Sequence, residues 1–163
     1  MRRNSSDLRY LGYGFGVLSL FAYEIATSIY LFLPPLIGLF FTYMIIEYAK
    51  KQQKSYMEFG FGWHLSIAFL LFAEQIHGFY MFSSLIAFII FFYFMVDWLF
   101  STMKYRNFLL IIFVFSGYLG VYLVSNAINY LQNKPFLYID AWYGFYIFIE
   151  SVFAIVLFKE KVV

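Results

Sequence analysis

Apolar stretches cut into six by short polar breaks constrain this 163-residue chain more than any other feature. A helix that crosses a hydrocarbon core of roughly 30 Å needs about 20 mostly apolar residues, so the breaks set the number of crossings. The first stretch runs from about Tyr10 to Leu33 and stops at Pro34-Pro35, because proline suits the first turn of a following helix and not the interior of the preceding one. The second, Pro34 to Ala49, ends in Lys50, Lys51, Gln52, Gln53 and Lys54. The third covers about Tyr56 to Ile76, and His77-Gly78 allows a tight reversal into the fourth, Phe79 to Phe100. After the polar residues of Ser101 to Arg106 comes a fifth stretch, about Asn107 to Leu131, closed by Gln132-Asn133-Lys134-Pro135; the sixth runs from about Ala141 to Phe158. The sequence therefore predicts an all-α integral membrane protein, with one transmembrane domain of six helices over residues 1–163.

Charge supplies the orientation. Lysine and arginine accumulate on cytoplasmic loops. With six crossings, Arg2, Arg3, Arg9, Lys50, Lys51, Lys54, Lys104, Arg106, Lys159 and Lys161 share one side, leaving only Lys134 of the eleven basic residues opposite. Both termini are expected in the cytoplasm, and the location expected is a bacterial cytoplasmic (inner) membrane crossed several times. Tyrosine and tryptophan at span ends, such as Trp98 and Trp142, read as interfacial anchors. Glycines and a glutamate interrupt the first span where a cleavable signal would carry an apolar core, so it is expected to stay as an anchor.

Composition then removes function classes. Hydrophobic residues make up 64% of the chain and charged residues only 12%, against roughly a quarter charged in soluble domains, which excludes a soluble enzyme. Zero cysteines exclude disulfides, thiolate metal sites and cysteine nucleophiles. No basic run suits nucleic acid. His64 and His77 are 13 residues apart, about 220° of rotation and roughly 20 Å of rise on a helix, too far to ligate one metal or haem. The sequence contains no HExxH, GxSxG or P-loop pattern. No cofactor, metal or catalytic residue is expected.

Ionisable groups near the middle of a membrane helix cost about 2.5–3.5 kcal/mol on insertion scales, so each needs a partner or a function. Glu24, Glu74, His77, Asn126 and Asn129 fall in the outer half of the predicted bundle and are the candidates for partner or ligand contact. Glu74 and His77 are three apart, as are Asn126 and Asn129, so each pair is expected on one helix face. His64 and Glu150 fall at similar depth and form a candidate buried pair. Small residues mark candidate helix packing: Gly12 with Gly16, Ala22 with Ala26, and Ser116 with Gly120.

The order and spacing of these features over residues 10–160 resemble the rod-shape-determining protein MreD family. Prolines open the second span (Pro34, Pro35), a basic loop follows, glycines start the third span (Gly60, Gly62), and an acidic residue followed by glycine closes it (Glu74, Gly78) before an immediate return. The family more often has Asp where Glu74 stands. The resemblance implies a non-catalytic inner-membrane component of a bacterial cell-shape and peptidoglycan elongation complex, working through helix-to-helix contacts with an MreC-like scaffold and other membrane proteins of that complex. Ala22-xxx-Ala26 on the first span also resembles the docking motif in the substrate-binding S-component of energy-coupling-factor vitamin transporters. That alternative implies a vitamin pocket among the same outer polar residues. An unassigned membrane subunit of another complex is the third expectation.

Overall fold

The computed structural model describes residues 5–52 and 58–160, with the side chains of residues 5–12 excepted. It is an all-α bundle of six helices: α1 (Ser5–Ile29), α2 (Ile37–Gln52), α3 (Phe61–Ile76), α4 (Ser83–Thr102), α5 (Arg106–Leu131) and α6 (Trp142–Phe158). A single π-helical turn at Phe92–Val96 interrupts the α-helical bonding of α4.

The expectation of six membrane spans does not hold. Among the described residues only α4, at 20 residues, and α5, at 26, are both long and apolar enough to cross a bilayer. The described apolar parts of the others are shorter: Tyr13–Ile29, Phe61–Ile76 and Trp142–Phe158. At about 1.5 Å per residue, the 16 residues of α3 rise only about 24 Å, short of the roughly 30 Å core. The sequence count assigned to helices residues that the chain spends on turns. Tyr30–Leu36 belongs to a connection, Gly60 precedes α3, and His77–Phe82 reverses the chain. In α4 and α5 only 33% and 44% of the apolar window is buried inside the bundle, so neither resembles the enclosed central helix of a water-soluble domain.

Helix α2 occupies the centre and packs on α3, α4, α5 and α6. Its Phe41, Met44 and Ile45 are fully buried against a core that includes Phe69, Leu70, Leu110, Phe113 and Val114. The crossing of α2 over α5 depends on two glycines. A Cβ on Gly38 would lie 2.7 Å from Val114 Cγ1 and 2.9 Å from the Val114 carbonyl oxygen, and one on Gly117 would lie 3.2 Å from Gly38 Cα. No side chain fits there without moving a backbone.

The same crossing explains why α2 is short. Its first turn lies beside Val114 and Glu150, in the middle of α5 and α6 rather than at their ends. The connection from α1 therefore descends into the bundle with Pro34 and Pro35 buried. Tyr23 donates to the Pro34 carbonyl at 2.9 Å, and Tyr146 donates to that of Leu31. Leu36 completes the descent in a left-handed conformation (φ 55°).

Helix α1 is peripheral and packs against α3. Phe21 meets Phe72 edge to face at 4.9 Å and Phe69 at 6.2 Å. From Tyr13 onward only Glu24 and Thr27 of α1 are buried.

Candidate functional site: three buried glutamates

Glu24, Glu74 and Glu150 are each fully buried. A carboxylate removed from water is stabilised only by donors that replace its hydration. Two of the three find those donors at helix starts.

Glu74 ends α3. His77 stands at the C-terminal boundary of the helix, Gly78 adopts φ +74°, and the Phe79 N–H donates to the Glu74 carbonyl at 2.8 Å. This is the bond of a Schellman reversal, in which a left-handed residue is needed and glycine adopts it without a Cβ penalty. The reversal brings the start of α4 over the Glu74 side chain. There the carboxylate accepts the N–H of Phe82 at 2.8 Å, the Ser83 hydroxyl at 3.0 Å and the Ser84 N–H. The residue before α4, Phe82, provides no capping side chain of its own. Glu74 supplies that cap from the preceding helix, and its negative charge faces the positive end of the α4 dipole.

Glu150 does the same for α2. Its carboxylate accepts the Leu39 N–H at 2.8 Å and the hydroxyl of the buried Tyr118. In both places a residue with positive φ, Leu36 or Phe82, precedes the capped helix.

Glu24 is different. His77 Nε2 lies 3.0 Å from Glu24 Oε1 and 3.0 Å from Thr27 Oγ1, whose hydroxyl donates to the Glu24 carbonyl at 2.7 Å. Glu24 Oε2 is buried with no hydrogen-bond partner among the described residues.

The two asparagines fasten the other end of α5. Asn126 accepts the Leu137 N–H at 2.7 Å while Tyr122 donates to the Leu137 carbonyl at 3.0 Å, so one residue of the α5–α6 connection is held by both backbone groups. Asn129 faces the Tyr80 hydroxyl at 3.0 Å, and Lys134 donates to that hydroxyl at 3.1 Å.

Several sequence expectations are corrected here. His64 is exposed and its ring lies 3.2 Å from the Gly60 carbonyl, so it does not pair with Glu150. Equal depth was the wrong criterion, because His64 lies on the side of α3 away from its buried Trp63, Ser66 and Leu70. Glu74 and His77 do not act together: one caps α4 and the other reaches α1. Gly16 is exposed with nothing within 4 Å of an added Cβ, and Ala22 is exposed, so neither marks a packed seam; Gly12 lies outside the described side chains. Gly120 does pack, with its added Cβ 2.7 Å from Ala87 Cβ. Ser116 and Gly120 line a groove of about 350 Å³ between α4 and α5, walled by Ile90, Phe94, Leu119 and Leu123. None of the five candidate polar residues lines it.

Tyr118, Gly38, Gly117 and Thr27 were missed. A tyrosine in an apolar span reads as an interfacial anchor, and single glycines outside a repeated spacing give no pairing signal. Among the described residues no group of three or more His, Asp or Glu gathers as a metal site. No protein-family model, curated protein or solved structure matches the chain.

Proposed function

We propose that the protein is a non-catalytic component of a bacterial cytoplasmic-membrane assembly, anchored by α4 and α5 and acting through helix-to-helix contacts with a scaffold partner. In this reading the turn carrying Lys104 and Arg106 lies on the inner side, and the assembly is the cell-shape and peptidoglycan elongation complex, with an MreC-like scaffold beside it. One observation carries the reading: three of the five polar candidates are bound within the fold. Glu74 caps the start of α4, Asn126 holds the α5–α6 connection and Asn129 meets Tyr80 in the turn before α4. Away from the polar residues at their facing ends (Asp97, Ser101 and Thr102 on α4, Arg106 and Asn107 on α5), the two long helices expose apolar side chains, including Ile89 and Phe94 on α4 and Phe115, Leu119 and Leu123 on α5. Faces of that kind suit lipid and other helices.

The same observation counts against a vitamin-binding S-component. Its pocket needs several of these groups free and convergent, and its docking alanine, Ala22, is exposed on an α1 with little packing around it.

Purification in mild detergent followed by mass spectrometry tests the proposal. Co-recovery of a membrane-anchored coiled-coil scaffold with wall-synthesis proteins is expected. Recovery of a transporter T-component with its ATPases, or of a retained vitamin, refutes it.

A further inference from the structure

We propose that the groove between α4 and α5 is the seat of a partner's membrane-crossing helix, one with bulky apolar side chains in its middle and an acidic inner flank. The inference rests on α4 and α5 crossing the bilayer, as proposed above, and adds the surface and the chemistry of the partner. It does not depend on which assembly that partner belongs to.

Three observations meet at this groove. First, it is built into the helix pair. Ala87 and Gly120 draw the two helices together, with an added Gly120 Cβ 2.7 Å from Ala87 Cβ, and with Ser116 they leave a floor of small side chains. Phe94, Leu119 and Leu123, all exposed, rise on either side. Phe94 stands in the π-helical turn of α4. Such a turn adds one residue, which rotates the side chains beyond it by about 100° relative to an uninterrupted α-helix, and single π turns are frequent at functional positions. Second, the groove lies at mid-depth. On α5 it covers residues 116–124, from about 15 Å to about 27 Å along a helix of 26 residues that rises about 39 Å. A phospholipid chain held by its headgroup in either leaflet meets that region only with its terminal carbons. A helix that crosses the bilayer lies along it for about two turns, and its apolar side chains supply the close packing that drives helix association in lipid.

Third, the inner end of the groove is charged. The turn that joins α4 to α5 carries Lys104 and Arg106, both exposed and in no ion pair among the described residues. Asp97 on α4 pairs with neither, so the turn stays positive. Most membrane helices carry lysine or arginine on this side, and such a flank is repelled by the turn, whereas Asp or Glu is attracted. The turn therefore selects among helices that the apolar walls would accept alike.

Photo-crosslinking tests the proposal. A photoreactive phenylalanine analogue replaces Leu119 on the groove wall or, as reference, Val156 on the exposed face of α6, and the full chain is illuminated in the membrane of living cells. The expected product at Leu119 is an adduct with one protein, crosslinked within a membrane-crossing segment that carries Asp or Glu at its inner flank; none is expected at Val156. Lys104→Gln with Arg106→Gln, at exposed positions, should cut that adduct about fivefold, the loss of two ion pairs at a protein surface. Ser116→Phe, which fills the floor, should abolish it; if Ser116→Phe lowers Tm, the turn variant decides. Adducts at Leu119 with lipid alone, with a second copy of this chain, or with a helix whose inner flank is basic overturn the proposal, as does a yield that the turn variant leaves unchanged. The result is separable from that for the assembly proposed above. An acidic-flanked partner outside wall synthesis supports the groove and refutes the assembly, whereas a co-purified scaffold that crosslinks at Val156 and not at Leu119 supports the assembly and overturns the groove.

Discussion

Replacing Glu74 by leucine removes the acceptor of three donors at once, and the structure sets the size of the effect. The Ser83 hydroxyl and the Ser84 N–H are buried, and each buried donor left without an acceptor costs about 1–3 kcal/mol. Phe82 is half exposed, so its N–H can turn to water at little cost. Losing a negative charge from the start of α4 adds about 0.5–1 kcal/mol. Together these give roughly 2.5–7 kcal/mol, partly offset by the apolar contacts of the new leucine. Glu47→Leu is the control. Glu47 lies 3.8 Å from Lys51 on a partly exposed face, a pair worth at most about 1 kcal/mol. For a chain of this length about 2–4 °C of Tm accompanies each kcal/mol. Thermal unfolding in detergent, followed by tryptophan fluorescence, should therefore show Tm lowered by on the order of 10 °C for Glu74→Leu and by no more than about 4 °C for Glu47→Leu. Equal shifts in the two variants would show that Glu74 is not the cap of α4.

Two further outcomes follow from the packing and from the second cap. Gly38→Ala forces a Cβ to 2.7 Å from Val114 Cγ1 and should destabilise the protein by about 1–3 kcal/mol, whereas Gly16→Ala enters open space on a helix and should stabilise it by up to about 1 kcal/mol; reversal of that order in the same unfolding assay contradicts the α2–α5 crossing. A double-mutant cycle of Tyr118→Phe with Glu150→Gln should return a coupling of about 1–3 kcal/mol, and additivity of the two would show that the hydroxyl and the carboxylate do not bond.

Helix number was legible in the sequence because each helix is separated from the next by proline, glycine or charge, and these residues interrupt helices for local reasons. Helix length was not. The residues after α1 are as apolar as the helix itself, so hydropathy could not show that Tyr30–Leu36 leaves the helix and descends to the level of Glu150. That descent depends on the close approach of Gly38 and Gly117, a contact between residues 79 positions apart. The buried glutamates were visible as expensive groups, yet their partners were hidden, since a carboxylate bound by backbone N–H groups leaves no complementary side chain to find. Glu74 illustrates this: three residues before a histidine, it reads as half of a pair, but its donors lie beyond the turn. Glu24 and His77 share no spacing signal because they lie on different helices 53 positions apart.

The reading of α4 and α5 as the membrane anchor meets its most direct test in cysteine accessibility, which is clean here because the chain has no native cysteine. Lys104 lies between α4 and α5, and Lys134 follows α5; both are exposed. Single Lys104→Cys and Lys134→Cys chains are probed with a membrane-impermeant maleimide, first in intact spheroplasts and then in inverted vesicles. Lys134→Cys should react only in spheroplasts and Lys104→Cys only in inverted vesicles. Labelling of both positions from the same side, or release of the chain by an alkaline wash, would contradict a bilayer crossed by these two helices.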